Sequence, residues 1–298
     1  MLYICPTPIG NLQDVTLRVL DVLREADLIA CEDTRHTKIL LARYGINSQL
    51  VSFHGHNEEQ RLPLLLPLLR EGKDVAVVSD AGMPGLSDPG FTLVRACAAE
   101  GLAVTVLPGP SAVSTALVLS GLPADRFAFV GFLARAAGKL TQQLAAFEGT
   151  GAALVAFESP RRLRASLRVI AEGWPERAVV MCRELTKLHE EALRGTAAEI
   201  LERLAETVRG EIVLVLAPSG GLTAGPEAGC DDGIAAGIVS AVPGVPAGEV
   251  ERRAVEALGE LVAEGVSTKQ AAGIVSRLTG IPARTAYRLA VQAKERSR

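Results

Sequence analysis

The sequence predicts an α/β protein with two α/β domains and a small helical domain at its C-terminal end. Three observations carry that prediction. Short apolar runs alternate with helix-period stretches, the pattern of a largely parallel sheet. Several of those runs end in loops rich in Gly and Pro. A stretch from Pro218 to Gly248, also rich in Gly and Pro, then separates the alternating region from three helix-like segments. The breaks place the domains at 1–121 and 122–218, a linker at 219–248 and a terminal domain at 249–298.

In chain order, Leu2–Cys5, Asp27–Cys31, Leu50–Phe53, Val75–Val78 and Val104–Leu107 read as buried strands. Between them, Val15–Arg24 sets Val15, Val19 and Leu23 on one helical face, and Thr92–Glu100 has the same character. Pro63 and Pro67 argue against a continuous helix over Asn57–Arg70. Beyond a break at Gly121–Asp125, apolar runs recur at Phe127–Leu133, Ala153–Phe157, Ala178–Cys182 and Ile212–Ala217. Helical patterns at Leu140–Phe147, Arg161–Ile170 and Thr196–Leu204 fill three gaps. Arg183–Gly195 is too short and polar for a crossover helix and suits a hairpin, so this second sheet should be mixed. The terminal helices fall at Glu249–Ala263, Thr268–Leu278 and Ala283–Lys294, with Ser267 and Gln270 at capping-box spacing. They read as a helix-turn-helix-like module or as a dimerisation bundle.

Hydrophobic residues make up 48% of the 298 and aromatics 4%, so the core must be built mainly from Leu, Val, Ile and Ala. A net charge of −3 supplies no global field toward nucleic acid or anionic membrane, and any RNA contact must be local. No apolar run is long enough for a transmembrane helix. The first residues, Met1–Cys5, read as a strand and not as a signal peptide. The five cysteines are widely spaced, and Cys5, Cys31, Cys97 and Cys182 lie in or beside apolar runs. That usage fits buried free thiols in a reduced, cytoplasmic protein.

The most informative segment is Val77–Pro89, where a strand enters a loop holding Gly82, Pro84 and Gly85. Ligands in open α/β sheets sit at the carboxyl ends of strands, and glycine lets backbone approach them closely. Asp80 stands at that strand's end. Pro6–Leu12 and Leu107–Ala112 are comparable loops, with Ser111 as a candidate N-cap. Three such loops on one rim favour a small-molecule pocket over three purely structural turns. Two polar loops follow the second and third strands, at Glu32–Thr37 and Ser52–Glu58, and they contain His36, His54 and His56, three of the four histidines. Arg35 suits a phosphate, while Asp33, His54 or His56 suits proton transfer. Helix capping by Asp33 or Thr34 is the structural alternative. No metal is expected, because His54 and His56 lack a third ligand in any zinc pattern. Arg183–Glu191 and Phe157–Arg162 add polar groups that can reach the crevice from the second domain. Neither a GxGxxG nor a GxxxxGK[ST] phosphate motif occurs.

Taken together, Pro6–Leu12, Glu32–Thr37, Ser52–Glu58, Ser79–Gly90, Leu107–Ala112, Phe129–Leu133 and Arg183–Glu191 resemble the tetrapyrrole-methylase-like superfamily. Within it they resemble the branch that methylates a cytidine 2′-hydroxyl in small-subunit ribosomal RNA. The resemblance spans about the first 217 residues in family order. It implies two α/β domains with S-adenosylmethionine in the cleft between them. It also implies cofactor contacts at Pro8, Asp80, Ala81, Gly82, Ser87, Asp88, Pro108, Ser111, Ala112, Phe157, Leu185 and Ala217. A homodimer acting on 16S rRNA within the small subunit is implied as well. Three departures stand out: Met83 replaces a usual threonine, Arg161 replaces a usual histidine, and the basic run after Leu133 is thinned to Ala134–Lys139.

The resulting expectation is a ribose 2′-O-methyltransferase. Its candidate proton-handling residues are Asp33, His54, His56 and Lys187, and its candidate RNA contacts are Arg35, Arg161, Arg162 and Arg183. Two rivals remain: a corrin or porphyrin-precursor methyltransferase on the same fold, and a ligand-sensing helix-turn-helix regulator.

Overall fold

A computed structural model describes residues 1–219, 266–279 and the positions 257, 258, 261, 287, 289 and 291. The chain forms two compact units, Met1–Ala224 and Gly225–Arg298.

The first sheet contains β1 (Leu2–Ile4), β2 (Leu28–Cys31), β3 (Leu50–Ser52), β4 (Val75–Val78) and β5 (Val104–Val106). Their order is β3-β2-β4-β1-β5 and every pairing is parallel. All five carboxyl ends therefore open on one rim, with the β2 and β4 loops side by side. Helices α1 (Leu17–Glu25), α2 (Thr34–Arg43), α3 (Glu58–Arg70) and α4 (Phe91–Ala99) connect the strands. Two apolar clusters cover the two faces: Val19, Leu23, Ile29 and Leu40 on one, Leu2, Phe53, Leu65 and Val75 on the other. Each such fully buried aliphatic side chain contributes about 1.5–3 kcal/mol.

Helix α3 runs unbroken through Pro63 and Pro67, contrary to the sequence expectation. The two prolines are four residues apart and both exposed, so the carbonyls they leave unbonded face water. Leu65 and Leu69, on the other side, are buried and hold the helix to the sheet.

The second sheet contains β6 (Phe127–Phe132), β7 (Ala153–Glu158), β8 (Ala178–Arg183), β9 (Glu191–Thr196) and β10 (Ile212–Leu216), in the order β6-β7-β10-β8-β9. Only β6 and β7 are parallel. Strand β10 runs antiparallel to both of its neighbours, and β8 and β9 form the anticipated antiparallel pair. Helices α6 (Ala137–Ala145), α7 (Leu163–Gly173) and α8 (Ala197–Arg203) pack on one face through Leu140, Leu163, Leu167 and Ile200. Helix α5 (Ala112–Ser120), which follows the first sheet, covers the other face through Val113, Ala116 and Leu117. Its N-terminus is thereby held between the two sheets.

In the second unit, Leu258, Ala271, Ala272 and Val275 share a small buried cluster. A helix spans Thr268–Thr279, and the Ser267 hydroxyl accepts the Gln270 N–H at 3.3 Å while donating to its side chain at 2.8 Å. The expected linker and most of the two flanking helices lie outside the described residues.

Candidate cofactor and substrate site

The loops after β1 and β4 are tied together. Thr7 and Gly82 exchange backbone hydrogen bonds of 2.9 Å in both directions, and the Thr7 hydroxyl donates to the Ser79 carbonyl at 3.0 Å. Gly82 has φ +80°, a conformation glycine adopts without strain. Ser87 takes φ 68° in the same loop, which is uncommon for a residue with a side chain. The β1 loop also reaches the second sheet's loops. A Cβ at Gly10 would lie 2.5 Å from Cγ of Lys187 and 2.9 Å from the Leu185 carbonyl oxygen. Only glycine allows that approach.

A cleft of about 380 Å³ opens between the two sheets, within the range usual for small-molecule sites. One wall is acidic, formed by Glu32 after β2 and by Asp80 and Asp88 after β4. The Asp33 N–H donates to Asp80 Oδ1 at 3.0 Å, and the Asp80 N–H donates to Glu32 Oε2 at 3.3 Å. Among the described residues no lysine or arginine pairs with this trio; His36 Nδ1 stands 3.6 Å from Asp80 Oδ2. Burial, with the charges of Glu32 and Asp80 added, pushes the Asp88 carboxyl up to about 7. The other wall is apolar and aromatic. Phe132 and Phe157 meet edge to face with centroids 5.6 Å apart, and Val113, Ile212 and Val213 complete the surface.

Eight of the twelve expected cofactor residues line this cleft: Asp80, Ala81, Gly82, Ser87, Asp88, Ser111, Ala112 and Phe157. Ser111 occupies the N-cap position of α5, but its side chain makes no capping bond. Pro8, Leu185, Pro108 and Ala217 do not line it. Pro8 and Leu185 are buried behind the wall, and Ile9 reaches the cleft instead. Pro108 is exposed. Ala217 is displaced by strand direction. Because β10 is antiparallel, its first residue, Ile212, pairs with Glu158 at the cleft, while the Ala217 N–H bonds to Ala178 at the far end. Gly210–Val213 therefore occupies the position expected of Ala217. Glu32 and Glu158–Pro160 also line the cleft; they lie in the strand-end segments Glu32–Thr37 and Phe157–Arg162 singled out in the sequence, though not among the residues chosen individually. Their signal was position at a strand's carboxyl end.

The expected proton-handling and RNA-binding residues are mostly committed to neighbours. Asp33 caps α2 and pairs with Arg35, whose side-chain hydrogen bonds hold its carboxyl down at about 2, too acidic for a base. Lys187 bonds Glu184 at 2.9 Å and Glu211 at 3.0 Å. Burial pushes its ammonium down, but those carboxylates outweigh it and raise the pKa overall, which makes Lys187 a poor proton acceptor. The Asn57 amide stands 3.2 Å from His54 Nε2, and His54 Nδ1 is buried without a partner. His56 is exposed, its ring 6.1 Å from that of His54. None of these four lines the cleft. Arg162 is a structural residue and not an open phosphate contact. It meets Glu158 at 2.5 Å and donates to the Leu133 carbonyl at 3.0 Å. Arg183 is likewise bound to Glu191 at 2.9 Å. Arg161 is exposed, and Arg35 is 89% exposed while still holding Asp33. Among the described residues no group of three or more His, Cys, Asp or Glu is arranged for a metal ion.

Two α/β layers meet at an acidic, aromatic-walled cleft of a size that suits a small molecule. Residues 1–201 match the family model for tetrapyrrole (corrin/porphyrin) methylases, and residues 248–294 match that for the RsmI C-terminal HTH domain. The chain belongs to the tetrapyrrole methylase family and is a methyltransferase. It is 47% identical over 216 residues to the ribosomal RNA small subunit methyltransferase I of Thermotoga maritima, covering 72% of this chain and 97% of that one. It is 47% identical over 219 residues to the protein of the same name from Escherichia coli O157:H7, covering 72% and 77% respectively. The uroporphyrin-III-C-methyltransferase of Thermus thermophilus shares the fold, with a TM-score of 0.51 at 21% identity over 72% of this chain and 93% of that one.

Proposed function

We propose that this chain transfers a methyl group from S-adenosylmethionine to a cytidine ribose 2′-hydroxyl in 16S rRNA of the small ribosomal subunit. The observation that carries the reading is the 47% identity across 97% of the Thermotoga maritima enzyme, whose name specifies that class of RNA. The cleft's chemistry suits the cofactor. The Glu32, Asp80 and Asp88 carboxylates, with which no lysine or arginine among the described residues forms an ion pair, suit its positive charges, and Phe132 with Phe157 offers a surface for its base. When bound, the cofactor supplies an electrophilic methyl group on a sulfonium.

The chain's own part is to bind, orient and handle the proton. Asp80–Gly82, Asp88, Ser111–Ala112 and Phe157 would hold the cofactor. Arg35 and Arg161, the exposed arginines of the expected set, would hold RNA phosphates, Arg35 while paired with Asp33, with the terminal helices as a further grip. The reading includes a homodimer working in the cytoplasm, and it keeps 1–121 and 122–218 as the two α/β domains joined through 219–248 to 249–298.

Purified protein, radiolabelled methyl donor and undermethylated small subunits test the reading. Label on a cytidine ribose after digestion is the expected result. Label on an isolated tetrapyrrole but not on RNA would overturn it.

A further inference from the structure

Methylating a ribose hydroxyl calls for a group that takes the hydroxyl proton as the oxygen attacks. The residues nominated from sequence are poorly suited, because Asp33 and Lys187 are locked in ion pairs, and among the described residues no hydrogen bond or ion pair links His54 or His56 to a residue that lines the cleft. A third imidazole, His36, does not itself line the cleft but faces Asp80, which does. His36 lies in the first turn of α2, directly after the β2 loop that supplies Glu32. Its side chain is 65% exposed, and Nδ1 faces Asp80 Oδ2 at 3.6 Å.

Asp80 is well placed to orient that ring. Its Oδ1 is held by the Asp33 N–H at 3.0 Å and its own N–H is held by Glu32, so Oδ2 is the oxygen left for His36. Because β2 and β4 are neighbours in the sheet, their paired backbone brings the loops that carry Glu32, His36 and Asp80 side by side. The 3.6 Å separation is an ion-pair distance and exceeds a hydrogen bond. Catalytic hydrogen bonds in ligand-free sites are commonly long and tighten on assembly. His36 Nε2 has no partner among the described residues. Arg35, the exposed phosphate candidate, is the adjacent residue, so an RNA strand held there would bring its ribose near His36.

We propose that His36 is the general base of the methyl transfer and that Asp80 is the residue that positions its ring. The role rests on the methyltransferase reading given above. The acceptor hydroxyl's proton passes to His36 Nε2. The electron pair freed on that oxygen forms the new oxygen–carbon bond with the donor methyl, and the carbon–sulfur pair returns to sulfur. One sulfonium cation is replaced by one imidazolium, which Asp80 faces through Nδ1–H, so charge balances.

The test uses the full chain with H36Q, H36A and D80N. Cofactor affinity is measured by calorimetry, and single-turnover methyl transfer with cofactor saturating. Long-range ¹H–¹⁵N spectra, assigned by loss of signals in H36Q, report the tautomer. The expected result is cofactor affinity within about twofold of wild type for both His36 variants and a methyl-transfer rate lower by about 10²–10⁴-fold. Added imidazole should restore part of the H36A rate, and the wild-type Nδ1–H signature should weaken in D80N. His36 is exposed, so both variants should fold. An H36Q rate within about threefold of wild type would overturn the role. So would an H36A loss that imidazole does not restore, or an Nε2–H tautomer in the wild type. Failure of the wild-type chain to label RNA would overturn the functional reading and this role with it. Wild-type labelling beside a fully active H36Q would overturn the role alone.

Discussion

Replacing Asp88 by Asn separates the charge of the cleft from its shape. The Asp88 carboxyl is pushed up to about 7, first by burial and then by Glu32 and Asp80, against a lowering hydrogen bond from Ser79. In the unfolded chain it titrates near ~3.9. Below about pH 4 both states hold the proton and Asp88 costs nothing. Between about pH 4 and about 7 the unfolded chain releases the proton and the folded chain retains it, so folding stability falls as pH rises. Above about pH 7 the loss is complete. The gap between the two values corresponds to about 4 kcal/mol. Asp88 is only partly buried, and solvent screening reduces that to about 1–2 kcal/mol. Ligand-free D88N should therefore match wild type near pH 4 and exceed it at pH 8, by roughly 2–8 °C in Tm. Scanning calorimetry of both proteins at the two pH values is the assay. An equal offset at both, or a less stable D88N at pH 8, would refute the argument. The same substitution should weaken binding of the cationic cofactor, because the removed charge is one that a cation stabilises. Stability and function then move in opposite directions.

Arg162→Met should cost about 3 kcal/mol in denaturant unfolding, because Glu158 is 2% exposed and would keep only Ser166 and the Ser159 N–H as partners. Gly10→Ala should cost about 1–3 kcal/mol and lower cofactor affinity, since the new Cβ meets both Lys187 and the Leu185 carbonyl; unchanged stability would mean that the two loops separate freely. Arg35→Ala should reduce RNA methylation and its salt dependence while leaving calorimetric cofactor affinity unchanged. Equal loss of both would remove Arg35 from the RNA contacts.

Features governed by local chemistry were legible in the amino-acid sequence. The strands announced themselves as apolar runs, and the cleft as the rim where glycine- and proline-rich loops end them. Gly82 was readable because a loop that bends sharply at a strand's carboxyl end needs glycine, and Asp80 because it stands at that end; Asp88 was implied only by the family resemblance. Strand direction was not readable in the same way. Nothing within Ile212–Leu216 says which way it runs between β7 and β8, and that direction moves Ala217 to the far end and brings Gly210–Val213 to the cleft. Pairing of charges was equally hidden. Arg162, Arg183 and Lys187 look free in the sequence although Glu158, Glu191 and Glu184 lie nearby along the chain, because spacing alone does not say which carboxylates turn toward them; Glu211 reaches Lys187 from a separate segment. His36 gained its place only when β2 and β4 became neighbours and set Asp80 beside it. Local backbone demands leave a mark on the residues that meet them, whereas partners brought together across the chain are chosen by packing, which no single segment encodes.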